Sequence, residues 1–518
     1  MNCFMGIDIG TSGCKALVFD DLGRQLSKSS RSYEIISQRS GWAELDTHEV
    51  ISKCFEVIKE SAAKIEDGLV TGLGISSQGE AFTMIDENGN PLCNAFVSSD
   101  IRSNEMIKSW TGKFGEDKLY RITGHTPHPM FSLFKLLWVK GNMPKIWDKA
   151  CRILCFEDLL QYRLGIKNPS MGWPLAGRTM LFDVVKHSWN DEILCNLGLD
   201  KRKLSEPLQS GSSAGFVRED IAKQLNLGAG TMIVTGGHDQ TCSALGAGVT
   251  SAGTASYSSG TVECITSAFN SPVFTDELRE NNLCTYDFTL PGMYSTVAFS
   301  LTGGNLLKWY LDQFGSAEAE LAAKINSDPY ELLLNQMPDE PSGLLVLPYF
   351  TPSGTPYFDV SVKGAIMGMD LSVKRGEILK ALLEGVAFEI KLNLDILKRS
   401  GYETKELRLI GGGTKSEKLV RLKTDVIGTP ITILDIREAG CMGAAILAKA
   451  AYTGIDPRKI ADDWIKPVAR IEPKNSDHYN RKFESYKKLY PALKTFRDRK
   501  STRLNSSHLK LSRMPSSA

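Results

Sequence analysis

The chain has 518 residues, 42% of them hydrophobic and 23% charged, an ordinary globular composition with room for two or three domains. Its 61 Lys and Arg balance 60 Asp and Glu, leaving a net charge of +1, so charge gives no argument for nucleic acid, an anionic membrane or a polyanionic substrate. Small-molecule chemistry is the expectation that remains. A cytoplasmic, reducing setting is expected with it, because the N-terminus lacks a basic and then cleavable apolar stretch and no run reaches the ~18 apolar residues of a membrane span.

The first element is a strand that ends in a turn, Gly6-Ile7-Asp8-Ile9-Gly10-Thr11-Ser12-Gly13-Cys14-Lys15. Gly10 and Gly13 permit tight backbone geometry, and Thr11, Ser12 and the amides between them can donate to phosphate oxygens. Asp8 would repel a polyphosphate unless a divalent cation stood between them, which makes it a candidate Mg²⁺ partner through water. Lys15 either adds positive charge there or sits on the strand edge. The spacing is neither a Walker A motif nor a dinucleotide fingerprint, and taken alone the segment also reads as a plain hairpin. Short apolar runs such as Leu17-Val18-Phe19 and Leu69 to Ile75 alternate with helical patterns, which predicts an α/β fold with a largely parallel or mixed sheet.

Eleven cysteines are scattered along the chain, and the closest pair, Cys151 and Cys155, lacks CxxC spacing and neighbouring histidines, so all are read as buried thiols. Gly236-Gly237-His238-Asp239-Gln240 then places a carboxylate between the strand-like Met232-Ile233-Val234 and a small-residue helix start. Asp239 reads either as a base at a strand end or as a helix N-cap. Ser258-Ser259-Gly260-Thr261 supplies a second set of amide and hydroxyl donors about twenty residues later, which favours a base beside a phosphate cradle. The strand and turn from Tyr257 to Ile265 echo the opening strand and turn, suggesting two related halves. Glu377 to Leu397 predicts one buried amphipathic helix with a close packing contact at Gly385. Lys482 to Arg499 reads as a charged helical ending. Lys500 to Ala518 is Ser-rich and aperiodic; it is expected to be disordered, with residues 501–518 an artefact of sequence assembly.

These segments resemble, in order, the motifs of the FGGY carbohydrate kinase family, and within it the xylulokinase-like branch. The resemblance runs from Met5 to about Leu489 and includes Gly41-Trp42-Ala43-Glu44, Ser77-Gln78-Gly79-Glu80, Asp100-Ile101-Arg102, Lys135-Leu136-Leu137-Trp138, Leu383 to Phe388, Gly411-Gly412-Gly413-Thr414 and Glu438-Ala439-Gly440, besides the turns already described. It implies an α/β architecture of two actin-like, ribonuclease-H-like domains with a catalytic cleft between them. The implied division is residues 1–247 on the sugar side and 248–490 on the nucleotide side, with 491–518 as a tail.

The implied reaction is transfer of the γ-phosphoryl group of ATP, with Mg²⁺, to a hydroxyl of a ketopentose such as xylulose or a related sugar. By resemblance Asp239 is the general base, and Asp8 holds the metal. Thr11, Ser12, Lys15, Gly260, Thr261, Gly304, Gly412 and Gly413 contact the nucleotide, while Gln78, Glu80, Asp100, Arg102 and Gln240 contact the sugar, with His125 and His128 as weaker candidates. Gln78-Gly79-Glu80 departs from the Met-His pair common in xylulokinases and is closer to glycerol kinases. Ser98-Ser99-Asp100 and Ser170 to Pro174 also depart, and Trp173 is placed to cover a differently shaped ligand. A kinase for a glycerol- or erythritol-type polyol is therefore the alternative, and a non-catalytic actin-like nucleotide switch is the alternative of a different class. The expected partner is a small sugar or polyol, without nucleic acid or membrane, and a homodimer is left open.

Overall fold

The computed structural model describes residues 1–495, so the expected disorder of 500–518 lies outside the described residues. Two sheets organise the chain. In the first, strands run side by side in the order Gln25–Ser32, Gly13–Phe19, Asn2–Ile9, Leu69–Ser77, Met232–His238 and Ser213–Phe216. In the second, Tyr294–Ser300, Glu263–Phe269, Thr254–Ser259, Glu406–Ile410, Ile431–Leu434 and Pro467–Ile471 follow one another, with Tyr286–Asp287 added at one edge. Read in that order, both sheets pair antiparallel twice, parallel twice and antiparallel once. The echo between Tyr257 to Ile265 and the opening hairpin is thus the visible edge of a repeated sheet.

The opening strand, Asn-Cys-Phe-Met-Gly-Ile-Asp-Ile, is buried along nearly its whole length because both of its faces are covered, the pattern of a strand inside a layered α/β domain rather than on an open sheet. Helix Thr47–Ala63, capped by the Asp46 side chain, which accepts from the His48 and Glu49 amides, packs on the hairpin strands. Helix Ala439–Thr453, from the far end of the sequence, also lies on the first sheet. It approaches so closely that a Cβ on Gly6 would stand 1.8 Å from the Cys441 carbonyl oxygen, and one on Gly74 would stand 2.1 Å from that of Ala444. The same helix crosses Asp239–Gly246, where Cβ atoms on Gly246 and Gly443 would fall 1.9 and 2.0 Å from opposing carbonyl oxygens. At these four glycines the two halves of the sequence meet backbone to backbone, with no side chain between.

The long helix expected at 377–397 spans Arg375–Arg399 and is buried over most of its length. Gly385 makes the expected close contact, since a Cβ there would be 2.7 Å from the Val346 carbonyl oxygen. At the C-terminal end, one helix covers Ser476–Tyr486 and residues 489–495 are helical again; residues 496–499 of the expected helical ending lie outside the described residues. The cysteines are all unpaired, but Cys151 and Cys195 are exposed and Cys93 and Cys264 are half-buried. Both exposed residues lie outside the sheets, Cys151 between a short helix and a strand and Cys195 on a short surface helix, which corrects the expectation that every thiol is buried. Among the described residues, no helix is long and apolar enough to cross a membrane.

If helix 439–453 is seated by backbone contact, Gly74→Val is expected to destabilise the protein by about 1–3 kcal/mol or more through overpacking. Urea unfolding followed by tryptophan fluorescence measures the shift, and an unchanged midpoint would contradict this account of the seat.

Candidate active site

The site follows from strand direction. Asn2–Ile9, Leu69–Ser77 and Met232–His238 are parallel neighbours, so their C-terminal ends set Asp8, the 78–80 segment and Asp239 side by side, where ligands gather in open α/β sheets. In the second sheet, Thr254–Ser259 and Glu406–Ile410 are parallel neighbours in the same way. Their ends carry Gly260-Thr261 and Gly411 to Gly413. One half presents carboxylates at this position, and the other presents glycines.

Asp239 is the first residue of helix Asp239–Gly246, whose N-cap is His238, without a capping side-chain bond. The N-cap reading of Asp239 is therefore set aside. Its carboxyl is pushed up to about 7, first by burial and then by the nearby charges of Asp8 and Glu80, which is how a carboxyl becomes an effective base near neutral pH. One oxygen lies 3.2 Å from His238 Nε2, and His238 Nδ1 is 2.8 Å from the Tyr286 hydroxyl. Burial holds His238 neutral, so it carries one ring proton. That proton belongs on Nε2, facing the carboxylate, while Nδ1 accepts from Tyr286.

The bend that presents Asp239 is built by Gly236 and Gly237, where the pairing with Leu69–Ser77 shifts register and Gly237 takes a φ of 119°. Buried Glu157 holds this bend by accepting from the Gly236 amide at 2.8 Å and the Gly172 amide at 3.0 Å. Asp8 accepts from Ser76 Oγ at 2.8 Å, and its carboxyl is raised by burial. It sits against the first turn of helix 439–453, where a Cβ on Gly440 would come within 2.9 Å of its carboxyl carbon.

Several residues expected to contact ligands also have partners inside the fold. Gln78 accepts from Thr11 Oγ1 at 3.1 Å and donates to the Gly10 carbonyl at 3.0 Å, so its amide shapes the 10–13 turn. The Tyr33 amide donates to the Ser12 carbonyl at 3.1 Å, and the Ser12 side chain is exposed. Lys15 is bound to Glu438 at 2.6 Å. Asp100 accepts from the Ala43 amide at 2.7 Å and from Arg102 Nε at 2.9 Å, while Arg102 also reaches Glu44 and lies over the Trp42 ring. The Asp100 and Arg102 charges are thus directed at each other inside the fold, holding the Gly41-Trp42 loop. Glu80, by contrast, is buried with a φ of 63° and ion-paired to Arg178. Gln240 accepts from Cys264 Sγ at 3.2 Å, across to the second sheet.

Gly260, Thr261, Gly304, Gly412 and Gly413 line one cavity of about 750 Å³, together with Leu383, Lys415 and Tyr330; Thr11, Ser12, Lys15 and Asp239 are not among its lining. Two of these glycines, Gly413 and Gly304, are required by packing. A Cβ on Gly413 would stand 2.2 Å from Ser259 Oγ and one on Gly304 would stand 2.6 Å from the Gly260 carbonyl oxygen. Beneath them Lys423 donates to Glu263 at 2.5 Å and to Ser259 at 2.6 Å, and Tyr257 also donates to Glu263. Sequence reading missed Lys423, Arg178 and Glu157. Arg178 was marked only as a single charge inside the apolar stretch Leu175 to Phe182, and a lone charge in such a run needs a buried partner; Lys423 alternates with Arg421 and Asp425 and carried no such mark.

Residues 3–246 match the N-terminal domain of the FGGY family of carbohydrate kinases, and residues 255–452 match its C-terminal domain. The chain belongs to the FGGY family of carbohydrate kinases. It is 27% identical to a xylulose kinase of Bacillus subtilis (strain 168), over 96% of this chain and all of that protein. It is equally, 27%, identical to a glycerol kinase of Thermococcus kodakarensis, over 91% of this chain and 92% of that one. The solved structure of a xyloylose kinase from Brucella ovis superposes with a TM-score of 0.85 at 26% identity, covering 95% of this chain and 100% of the other. The fold is the two-domain FGGY kinase fold with its actin-like, ribonuclease-H-like halves, and the protein is a phosphotransferase that takes phosphate from ATP. Membership in an enzyme family sets aside the non-catalytic nucleotide switch.

The cavity distinguishes two substitutions. Gly412 has open space where a side chain would go, so Gly412→Leu is expected to leave the unfolding midpoint unchanged while raising KM for ATP at least tenfold. Lys423→Met, which strands a buried carboxylate, is expected to cost about 3–5 kcal/mol of stability. Steady-state kinetics and denaturation of both variants test the division.

Proposed function

We propose that the protein transfers the γ-phosphoryl group of ATP to a hydroxyl of a ketopentose such as xylulose or of a closely related sugar, with Asp239 as general base. The observation that carries this reading is the Asp239 carboxylate at a strand end, ionising near neutral pH and held by His238. Phosphoryl transfer needs in-line placement and charge neutralisation more than covalent help. Asp239 takes the proton of the attacking hydroxyl, His238 and Tyr286 fix its direction, and Glu80 with Arg178 walls the acceptor side. The glycine-lined cavity receives the nucleotide, and its Gly260-Thr261 turn is the part that meets the phosphates. Mg²⁺ binds through one or two carboxylates plus phosphate oxygens and, when bound, offsets the phosphate charge; Asp8, half-buried near Asp239, is the residue that would hold it. A polyol acceptor is the second reading, favoured by the equal identity to a glycerol kinase and by Glu80, which stands where the Met-His pair is absent. Absence of charge bias and of any membrane-spanning helix among the described residues supports a cytoplasmic small-molecule enzyme.

ADP release measured across ketopentoses, ketohexoses, glycerol and erythritol tests the assignment, and release independent of any added acceptor would refute it. Asp239→Asn is expected to fold and bind ATP while kcat falls by roughly two to four orders of magnitude. The base works ionised, so wild-type kcat/KM should fall about tenfold per pH unit below its midpoint near 7. Because the folded state holds this carboxyl above its ordinary value, its ionisation opposes folding at alkaline pH. The variant should therefore melt higher than wild type at pH about 8, and this advantage should vanish below the ordinary Asp value of about 4. A variant with wild-type turnover, or a flat pH profile, would remove Asp239 from the role.

A further inference from the structure

Beside Arg178 lies a second, small cavity of about 40 Å³ where the two halves of the chain meet, lined by His125, Phe131 and Arg178 from one and by Asn282, Val297 and Phe358 from the other. His125 is 0% exposed, stacks on Phe131 at 4.8 Å and lies 5.4 Å from the Tyr286 ring. Neither of its ring nitrogens has a hydrogen-bond partner among the described residues, and neither does Arg178 Nε. A buried polar atom without a partner costs about 1–3 kcal/mol, so three such atoms around one cavity call for a polar group there, a water or a hydroxyl of the acceptor that takes its place. The other polar groups there are already engaged. Asn282 donates to the Pro356 carbonyl at 2.7 Å and accepts from Thr126 at 3.2 Å, and His128 Nδ1 accepts from the Met130 amide at 3.2 Å.

The chemistry of the missing group follows from these atoms. Burial, with Arg178 nearby, holds His125 neutral, and a neutral imidazole offers one donor and one acceptor. A hydroxyl complements both. A carboxylate leaves the imidazole acceptor facing negative charge, and Glu80 already balances Arg178; an ammonium group meets the guanidinium. The volume is about that of one water in the liquid, ~30 Å³, so an oxygen and its carbon fill it, and Phe131, Val297 and Phe358 suit the carbon. Tyr286, which flanks His125, also bonds His238, which touches Asp239. Two side chains in contact thus link the wall of the cavity to the proposed base.

Resting on the sugar-kinase reading, we propose that this cavity is a subsite for the terminal hydroxymethyl group of an open-chain sugar or polyol, with the far hydroxyl read by His125. The acceptor is phosphorylated at one end beside Asp239 and recognised at the other in this cavity.

The test compares the best five-carbon acceptor from an ADP-release screen with its analogue lacking the terminal hydroxyl farthest from the phosphorylated one, using the full chain. Wild type should lose about 10–100-fold in kcat/KM on the deoxy analogue, the loss of one buried hydrogen-bonded group, with KM for ATP unchanged. His125→Phe, which keeps the stacked ring and removes both nitrogens, should treat the two acceptors within about threefold, and His125→Asn should retain part of the discrimination. Equal treatment by wild type overturns the subsite, as does undiminished discrimination by His125→Phe. Should that variant not fold, wild type and His125→Asn decide. If wild type releases no ADP with any acceptor, the kinase reading itself falls and the subsite with it.

Discussion

Everything at the site depends on backbone meeting backbone where helix Ala439–Thr453 rests on the first sheet. Gly6 and Gly74 carry no side chain, so the helix comes close enough for its first turn to touch Asp8 and for Glu438 to reach Lys15. Gly246 and Gly443 then let the helix that begins at Asp239 cross it at contact distance. Both carboxylates of the first half are thereby registered against an element from the end of the sequence. The position of the reacting groups is set by the absence of side chains as much as by the residues that carry charge.

That closeness has an electrostatic cost. Asp8, Glu80 and Asp239 share one buried neighbourhood, and the Asp239 carboxyl is raised as a result. Glu80 is balanced by Arg178, and Glu157 is neutralised largely by its own burial, its carboxyl raised to about 8. The charges not balanced inside the protein are those a phosphoryl transfer site needs, since perturbed groups concentrate where chemistry is done. On the nucleotide side the opposite arrangement holds. Lys423, Glu263, Ser259 and Tyr257 close a network of their own under the glycines.

Much of the fold was legible in the sequence. The apolar strand runs, the long helix around Gly385, the repeated hairpin and the position of Asp239 all follow from periodicity and turn chemistry, which are local signals. Gly412 and Gly413 were legible as a turn for the same reason. The internal partners of Gln78, Asp100, Arg102 and Lys15 were not, because such partners lie far away in sequence: 67 residues for Gln78 with Thr11, 58 for Arg102 with Glu44 and 423 for Lys15 with Glu438. Exposure of Cys151 and Cys195 was hidden likewise, since neither residue carries a local mark of its surroundings. Arg178 illustrates the limit well. Its sequence shows a stranded charge, and only the folded chain shows that Glu80 answers it.

The bond between Tyr286 and His238 joins residues from opposite halves of the chain. A hinge movement that parts those halves has to break it first, and the freed imidazole can then exchange its ring proton and swing away from Asp239. The aim of the carboxylate therefore answers to both halves, to the bend of the strand that bears it and to the Tyr286 hydroxyl that holds His238 from across the chain.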